Sequence, residues 1–376
     1  MKCAMFKRYS LAVGFLVLCC VSVISAADVD IEVNTGATYD TNVHRAMTPV
    51  GDTYLTLAPK IALKMPLNKL YFGSGMRASM EQHVNMTTAN LQEVAFSGIG
   101  RFSPSDYKSF GLFDEVVISD RLNSVEKLTD VTSKREFLDN RFLSAFKYHL
   151  GRGIWVASLE YASVIRDYRD SEIDDWIVHS MKSQIECSLG HRTSVQFESG
   201  IMKKTFEMGA TYISIPVTAS LKRKLGSKID AIFSLGLESR GYNEIYRDRN
   251  LDEPTASLSI TRPFTPNTSS RLSVDRRIYD SDYATGYSFV STAGDIEMVL
   301  NLSSSARLTL QGLYSKNDYA ELERIDHVFG GRGELKYIIS KWGSVILGYN
   351  REWRHSVDPV NDYGKHMIDL SYVVVF

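Results

Sequence analysis

Cysteine is scarce in this chain, and long apolar runs are nearly absent. Four of 376 residues are cysteine, and Cys3, Cys19 and Cys20 sit at the N-terminus, so Cys187 stands alone in the remainder. One thiol can build neither a disulfide framework nor a cysteine-rich metal site. An excess of one charge is lacking too: 43 Lys and Arg balance 44 Asp and Glu, for a net charge of -1. That balance leaves no electrostatic footprint for nucleic acid. Beyond residue 27 no apolar run nears the roughly 20 residues of a membrane helix, and the mean hydropathy is -0.15. The eight histidines are scattered, with no pair at ligand spacing on one strand. Gly98-Ile99-Gly100 and Gly330-Gly331-Arg332-Gly333 lack the Lys-Ser/Thr and opening helix of a phosphate loop. The carboxylates Asp167, Asp170, Glu172, Asp174 and Asp175 do not follow the spacing of an EF-hand and read as a solvated loop. The residues therefore point to no enzyme, no cofactor and no metal.

The first 27 residues have the layout of a secretory signal peptide. Lys2, Lys7 and Arg8 precede the apolar stretch 11–24, and Ser25-Ala26-Ala27 offers small residues for cleavage. Bulky Leu18 before Cys19 disfavours a lipoprotein site. The expected division is a signal peptide at 1–27, removed after Sec-type export, and one barrel domain at 28–376.

What is abundant is tyrosine, 20 residues of it, and alternation. Ile229, Ala231, Phe233, Leu235 and Leu237 share one face of an extended segment, and Asp230, Ser234, Glu238 and Arg240 share the other. The same pattern recurs around Arg77 and Glu81, around Lys182 and Glu186, around Arg307, and through Arg332, Glu334 and Lys336. One face must meet water and the other something apolar. Lipid-facing and lumen-facing residues cancel in any average, so a transmembrane barrel is polar overall and rich in aromatics. The segments run for about 10 residues, the length of a tilted strand crossing a bilayer.

The connections alternate between short and long. Short ones fall at 66–68, 103–106, 151–153, 190–192, 225–227, 265–267, 303–305 and 341–343, all built from turn-forming residues. Longer polar stretches lie at 41–52, 83–90, 114–134, 166–174, 203–208, 241–253, 279–285, 316–326 and 356–362. This layout predicts an all-β, antiparallel up-and-down transmembrane barrel with short periplasmic turns and long external loops. The tally is 16–18 strands, depending on weak candidates near 90–103, 107–118 and 255–262. Both termini then lie in the periplasm. Tyr148, Trp155, Phe264, Tyr337 and Trp342 flank short turns; Tyr39, Tyr168, Tyr242, Tyr287, Tyr314, Tyr349, Trp353 and Tyr363 flank long loops. These are read as the two aromatic belts at the headgroup layers.

The last strand alternates Ile368, Leu370, Tyr372, Val374 and Phe376 with Asp369 and Ser371. It resembles the C-terminal signal by which the barrel-assembly machinery recognises outer-membrane clients. Tyr372, Val374 and Phe376 would carry that signal.

Tyr39-Asp40-Thr41-Asn42-Val43-His44-Arg45 is similar to a Tyr-Asp-x-Asn-apolar-x-Arg stretch near the start of the family known as putative β-barrel porin 2. Arg166-Asp167-Tyr168-Arg169-Asp170-Ser171 and Arg277-Ile278-Tyr279-Asp280-Ser281-Asp282 resemble a loop that recurs in it. The resemblance implies an outer-membrane barrel linked to exopolysaccharide synthesis and export, with export components as partners. It implies no catalytic residues.

Inside such a barrel, Arg77, Glu81, Lys182, Glu186, Glu198, Asp230, Glu238, Arg240, Arg332, Glu334 and Lys336 are the candidates for lining the lumen. Lys60, Lys64, Arg307, Glu352 and Arg354 share their phase. Their mixed signs argue against a strongly ion-selective pore, and pairing across the wall is the simpler role for each. Inward aromatics number only Tyr71 and Trp176, too few for a sugar-guiding track. The reading is a porin-like channel in the outer membrane of a Gram-negative bacterium. The alternative is a plugged barrel acting as a structural or adhesive scaffold, with 114–134 as the longest candidate plug.

Overall fold

Alternating apolar and polar residues, interrupted by turn formers, fold into a single meander of strands that closes on itself. The computed structural model describes residues 28–43, 49–86, 90–120, 137–151, 154–168, 175–207, 209–226, 228–243, 250–280, 288–319 and 322–376. The expected signal peptide lies outside the described residues, as do positions 121–134 of the proposed plug and 169–174 of the acidic loop.

The strands are β1 (Asp28–Asp40), β2 (Asp52–Leu67), β3 (Leu70–His83), β4 (Leu91–Ser105), β5 (Lys108–Ser119) and β6 (Phe137–Leu150). Then come β7 (Trp155–Tyr168), β8 (Trp176–Ser188), β9 (Thr193–Phe206), β10 (Thr211–Leu225), β11 (Ile229–Tyr242) and β12 (Leu251–Thr265). The last six are β13 (Thr268–Asp280), β14 (Ser288–Asn301), β15 (Ala306–Tyr319), β16 (Arg324–Ser340), β17 (Gly343–Ser356) and β18 (Tyr363–Val375). They form one 18-stranded sheet in which each strand pairs with its neighbours in sequence and β18 pairs with β1. All pairings are antiparallel, and the seam between first and last strands runs from Glu32 opposite Val375 to Asp40 opposite Met367. Phe376 extends the seam by donating its N–H to the Ile31 carbonyl at 2.8 Å.

The strand number settles at the upper end of the expected range, because the three weak candidates are β4, β5 and β12. The short turns fall where the sequence placed them. One of them, after β2, holds Asn68 at a φ of 36°, a left-handed conformation that asparagine tolerates. The long connections are shorter than the polar stretches implied. Asp114 and Glu115 belong to β5, Lys203 and Lys204 to β9, and Lys316 to β15. Strands span 12 to 17 residues, more than the 9–11 or so that hydrocarbon requires. Above the headgroups both faces of a strand can be wet. The alternation therefore fades while the ladder continues, and the extra residues read as loop.

One close approach guards the seam. A Cβ at Gly36 would lie 2.8 Å from the Leu370 carbonyl oxygen and 2.9 Å from Ser371 Cβ. Two predictions follow the closure. A folded barrel should migrate differently on a detergent gel before and after boiling. Gly36→Val should lower the temperature at which the compact band is lost, since overpacking costs about 1–3 kcal/mol; an unchanged transition would show that the seam is not constrained there.

Candidate functional site

Side chains that point into a cylinder converge and lose solvent, whereas those that point outward diverge. On β11, Phe233, Leu235 and Leu237 are exposed, while Arg240 and Tyr242 in the other phase are buried. Every sequence candidate for the lumen lies in the inward phase. Arg77 Nη1 donates to Glu115 at 2.7 Å and lies 3.4 Å from Glu93 through Nε. Glu81 stands opposite Thr56. Lys182 reaches Glu198 at 2.9 Å, and Glu186 accepts from Lys222 at 3.0 Å and from Ser194 at 2.8 Å. Arg332 donates to Glu334 at 2.7 Å, and Glu238 accepts from Arg240 at 2.8 Å. Asp230 stands opposite Lys224, and Lys336 opposite Arg307. The inner wall thus carries charges of both signs, many of them ion-paired and some, such as Lys336 and Arg307, facing a like charge.

Burial is concentrated at one end. Among the described residues, the buried ones that lie away from the external ends of the strands are Ser220, Gly343, Ser344 and Gly348. There the inner wall carries a girdle of cations set over aromatic rings and tied to carboxylates. Arg166 binds Asp139 through Nε at 2.6 Å and Nη2 at 2.7 Å, a bidentate pair, while its guanidinium lies 4.5 Å from the Phe137 ring and 5.0 Å from the Trp176 ring. Lys204 lies over Trp176 and Phe206. Arg324 lies over Tyr319 and donates through Nε to Asp326 at 2.9 Å. Arg354 lies over Tyr363, and Lys365 reaches Asp40 at 2.6 Å. Desolvated cation–ring contacts are worth about 2 kcal/mol or more each, and charge-assisted bidentate bonds fix the geometry.

Tyr168, Tyr242 and Tyr363 correct one expectation. The sequence reading placed them in the external headgroup belt because they border long loops. They are buried on the inner wall instead. Nearness to a loop does not set the face; phase does, and Tyr168 shares the phase of Arg166 while Tyr363 stands opposite Arg354. Tyr39, Tyr314, Tyr349 and Trp353 do point outward and are exposed; Tyr287 lies outside the described residues. The interior is correspondingly richer in aromatics than Tyr71 and Trp176 alone.

The girdle is drawn inward at one place. The β11–β12 ladder runs to Arg240 opposite Leu251, and the β13–β14 ladder runs to Asp280 opposite Ser288. The β12–β13 ladder stops at Ala256 opposite Arg276. The last four residues of β13 have therefore left β12, beside a stretch of β12 in which Pro254 has no N–H to offer. They turn into the mouth. Asp280 there accepts from Lys204 Nζ at 2.7 Å, Arg240 Nη1 at 2.6 Å and the Tyr212 hydroxyl at 2.7 Å. Lys204 is on β9, four strands from β13 and so about 19 Å away along the wall. Only an inward-folded hairpin end closes that gap. Ser288 joins through Arg240 at 3.0 Å and Tyr242 at 2.8 Å, and Arg240 Nη2 donates to the Ile278 carbonyl at 3.3 Å.

The sequence reading missed this cluster because Lys204 and Asp280 fell in stretches taken as loops. Extending the phase of Glu198 in steps of two would have reached Lys204 and Phe206. Pro254, which cannot donate to a ladder, is the sequence signal beside the departure of β13 from β12. Lower in the barrel, Lys60, Tyr71, Arg77, Phe113 and Glu115 line a recess of about 210 Å³ on the inner wall. No group of three or more His, Cys, Asp or Glu that could hold a metal ion occurs among the described residues.

Residues 247–376 match the family model described as Putative beta-barrel porin 2. The match bears out the resemblance; Arg277–Asp282 lies within it, and the other two stretches lie before it. No curated protein matches the chain. Among solved structures, Pseudomonas aeruginosa OpdK with vanillate is similar over 93% of this chain and 99% of its own, at a TM-score of 0.56 and 10% identity. OccK2 (OpdF) from the same organism, in complex with glucuronate, gives 0.56 at 10% identity, over 94% of this chain and 99% of its own. OccAB4 from Acinetobacter baumannii gives 0.53 at 10% identity, over 93% and 98%. The fold is that of an outer-membrane porin-type barrel.

Asp280→Ala should leave Lys204 and Arg240 buried without their shared counter-charge. A loss on the order of 3 kcal/mol is expected in equilibrium unfolding by urea. Arg332→Ala, at a half-exposed pair, should change the midpoint little.

Proposed function

We propose that this chain, whose residues 247–376 match the model of the β-barrel porin 2 family, is a passive channel of the outer membrane. The observation that carries the reading is the contrast between the two faces of one closed sheet. The outer face presents exposed Leu, Ile, Val and Phe along the strands, and the inner face presents Lys, Arg, Asp and Glu in pairs. Eighteen strands enclose enough space for water. The paired charges of the wall favour weak ion selectivity.

The finer proposal is that the channel serves the export of extracellular polysaccharide. Its support is the family resemblance, together with the recess where Tyr71 and Phe113 stand beside Arg77 and Glu115. That mix of ring faces and charged groups suits sugar hydroxyls and carboxylates. OpdF was crystallised with glucuronate, which makes that sugar acid a natural first probe of permeation here. On this reading the mature chain follows Sec-type export and enters the bilayer through the barrel-assembly machinery, with Tyr372, Val374 and Phe376 as its signal.

The inward-folded end of β13 favours a second element of the reading: a mouth narrower than the barrel. A scaffold whose external end is closed is the extreme form of that arrangement. Planar-bilayer recording separates the two. The channel predicts steady conductance from folded protein, and Asp280→Ala should raise it by releasing the hairpin end. Absence of conductance in both proteins would favour the scaffold. Secretion of normal polysaccharide by a deletion strain would defeat the export role alone.

A further inference from the structure

Among the described residues one arrangement on the outer surface recurs three times, and the channel makes no use of it. The Tyr161 hydroxyl lies 3.0 Å from Nδ1 of His179, the Tyr314 hydroxyl 3.0 Å from Nδ1 of His327, and the Tyr349 hydroxyl 2.8 Å from Nδ1 of His366. In each pair the tyrosine comes from one strand and the histidine from the next: β7 and β8, β15 and β16, β17 and β18. Each histidine is the fourth residue of its strand, counted from the external end. A cation stands directly across the ladder from every one of them. Lys203 faces His179, Lys316 faces His327, and Arg351 faces His366.

All three groups lie on the lipid-facing side. His179 shares its phase with exposed Met181 and Ile185, His327 with Leu335 and Tyr337, and His366 with Ile368 and Leu370. Toward the periplasm that face is mainly apolar, and toward the outside it passes into loops. The groups therefore sit at the external headgroup layer. Two of them are joined: His355 faces His327 across the β16–β17 ladder, and the Trp353 ring stacks on Phe329 at 5.2 Å. Among the described residues Lys203 and Arg351 form no ion pair. Lys316 has Asp318 at 4.0 Å, and His355 has Asp362 at 3.3 Å. Arg351 also lies 5.1 Å from the centre of the Trp353 ring, and the periplasmic belt likewise lays Lys341 over Trp342 and Arg262 over Phe264.

A cation on a lipid-facing wall is costly unless an anion meets it, and at this depth the nearby anions are lipid phosphates. Each tyrosine holds Nδ1 of its histidine, so Nε2 is the ring nitrogen left to face a ligand. Cation and imidazole then converge on one site from adjacent strands. We infer that the three Tyr–His–cation groups bind phosphate groups of the lipids in the external leaflet. The inference rests on the membrane placement proposed above.

The test uses the full-length barrel in nanodiscs doped with diphosphorylated lipid A or with its dephosphorylated form. Native mass spectrometry after mild delipidation reads the lipid retained. The phosphorylated form should be retained in preference, and in the combined Lys203→Ala, Lys316→Ala, Arg351→Ala variant each of the three sites should lose about fivefold in retention. Boiling-dependent migration checks that each variant is folded; if the triple variant is not, the three single variants are read one site at a time. Equal retention of the two lipids, or retention unchanged in the variants, would overturn the inference. So would release of the lipid by millimolar inorganic phosphate, which would assign the sites to the free ion. A barrel that never enters a nanodisc would refute the membrane placement instead.

Discussion

A strand in hydrocarbon cannot leave an N–H or a C=O unpaired, and the rest of this fold answers to that constraint. An open sheet would expose two edges to lipid, so the first and last strands must meet. They do so along a seam from Glu32–Val375 to Asp40–Met367, with Phe376 bonded to Ile31 beyond it. Gly36 permits the approach, since any side chain there would press on the Leu370 carbonyl. Once the ring is closed, every residue is committed to one of two solvents. The chemistry of the wall then follows from its two-residue period.

The constraint relaxes above the headgroups, and the structure changes character there. Water can satisfy a freed backbone group, so β13 can leave β12 after Arg276 and bend into the mouth. What holds it is electrostatic. Asp280 gathers Lys204, Arg240 and Tyr212 from three other strands, and the same logic is repeated at Asp139 with Arg166 and at Asp326 with Arg324. The aromatic rings beneath these cations replace part of the hydration that burial removes. The lower interior, with its half-exposed pairs such as Lys182–Glu198, remains open to solvent.

Much of this was legible in the sequence because a membrane wall obeys a simple period. Asp230 to Arg240 on β11 could be assigned to faces residue by residue, and the turn-forming residues located all eight short connections. The rest escaped for physical reasons. Polar residues such as Asp114, Lys203 and Lys316 fall in the outward phase of their strands and interrupt its apolar run, so those stretches read as loop. Tyr168, Tyr242 and Tyr363 look like headgroup anchors by composition, and only their phase shows that they point inward. Departures from a ladder, such as that of β13 from β12, depend on side chains four strands apart that no local pattern connects.

The ring of tethered cations around the mouth has an effect on how this surface can change over generations. It sits between the wall and the external connections, and its cations are tied to carboxylates and rings on the strand ends. Substitution, lengthening or shortening of a loop therefore begins beyond a clamp that keeps each strand end in place. Residues such as Arg166 and Arg324 act as a bulkhead. The external connections can drift, while the cylinder beneath them keeps its shape.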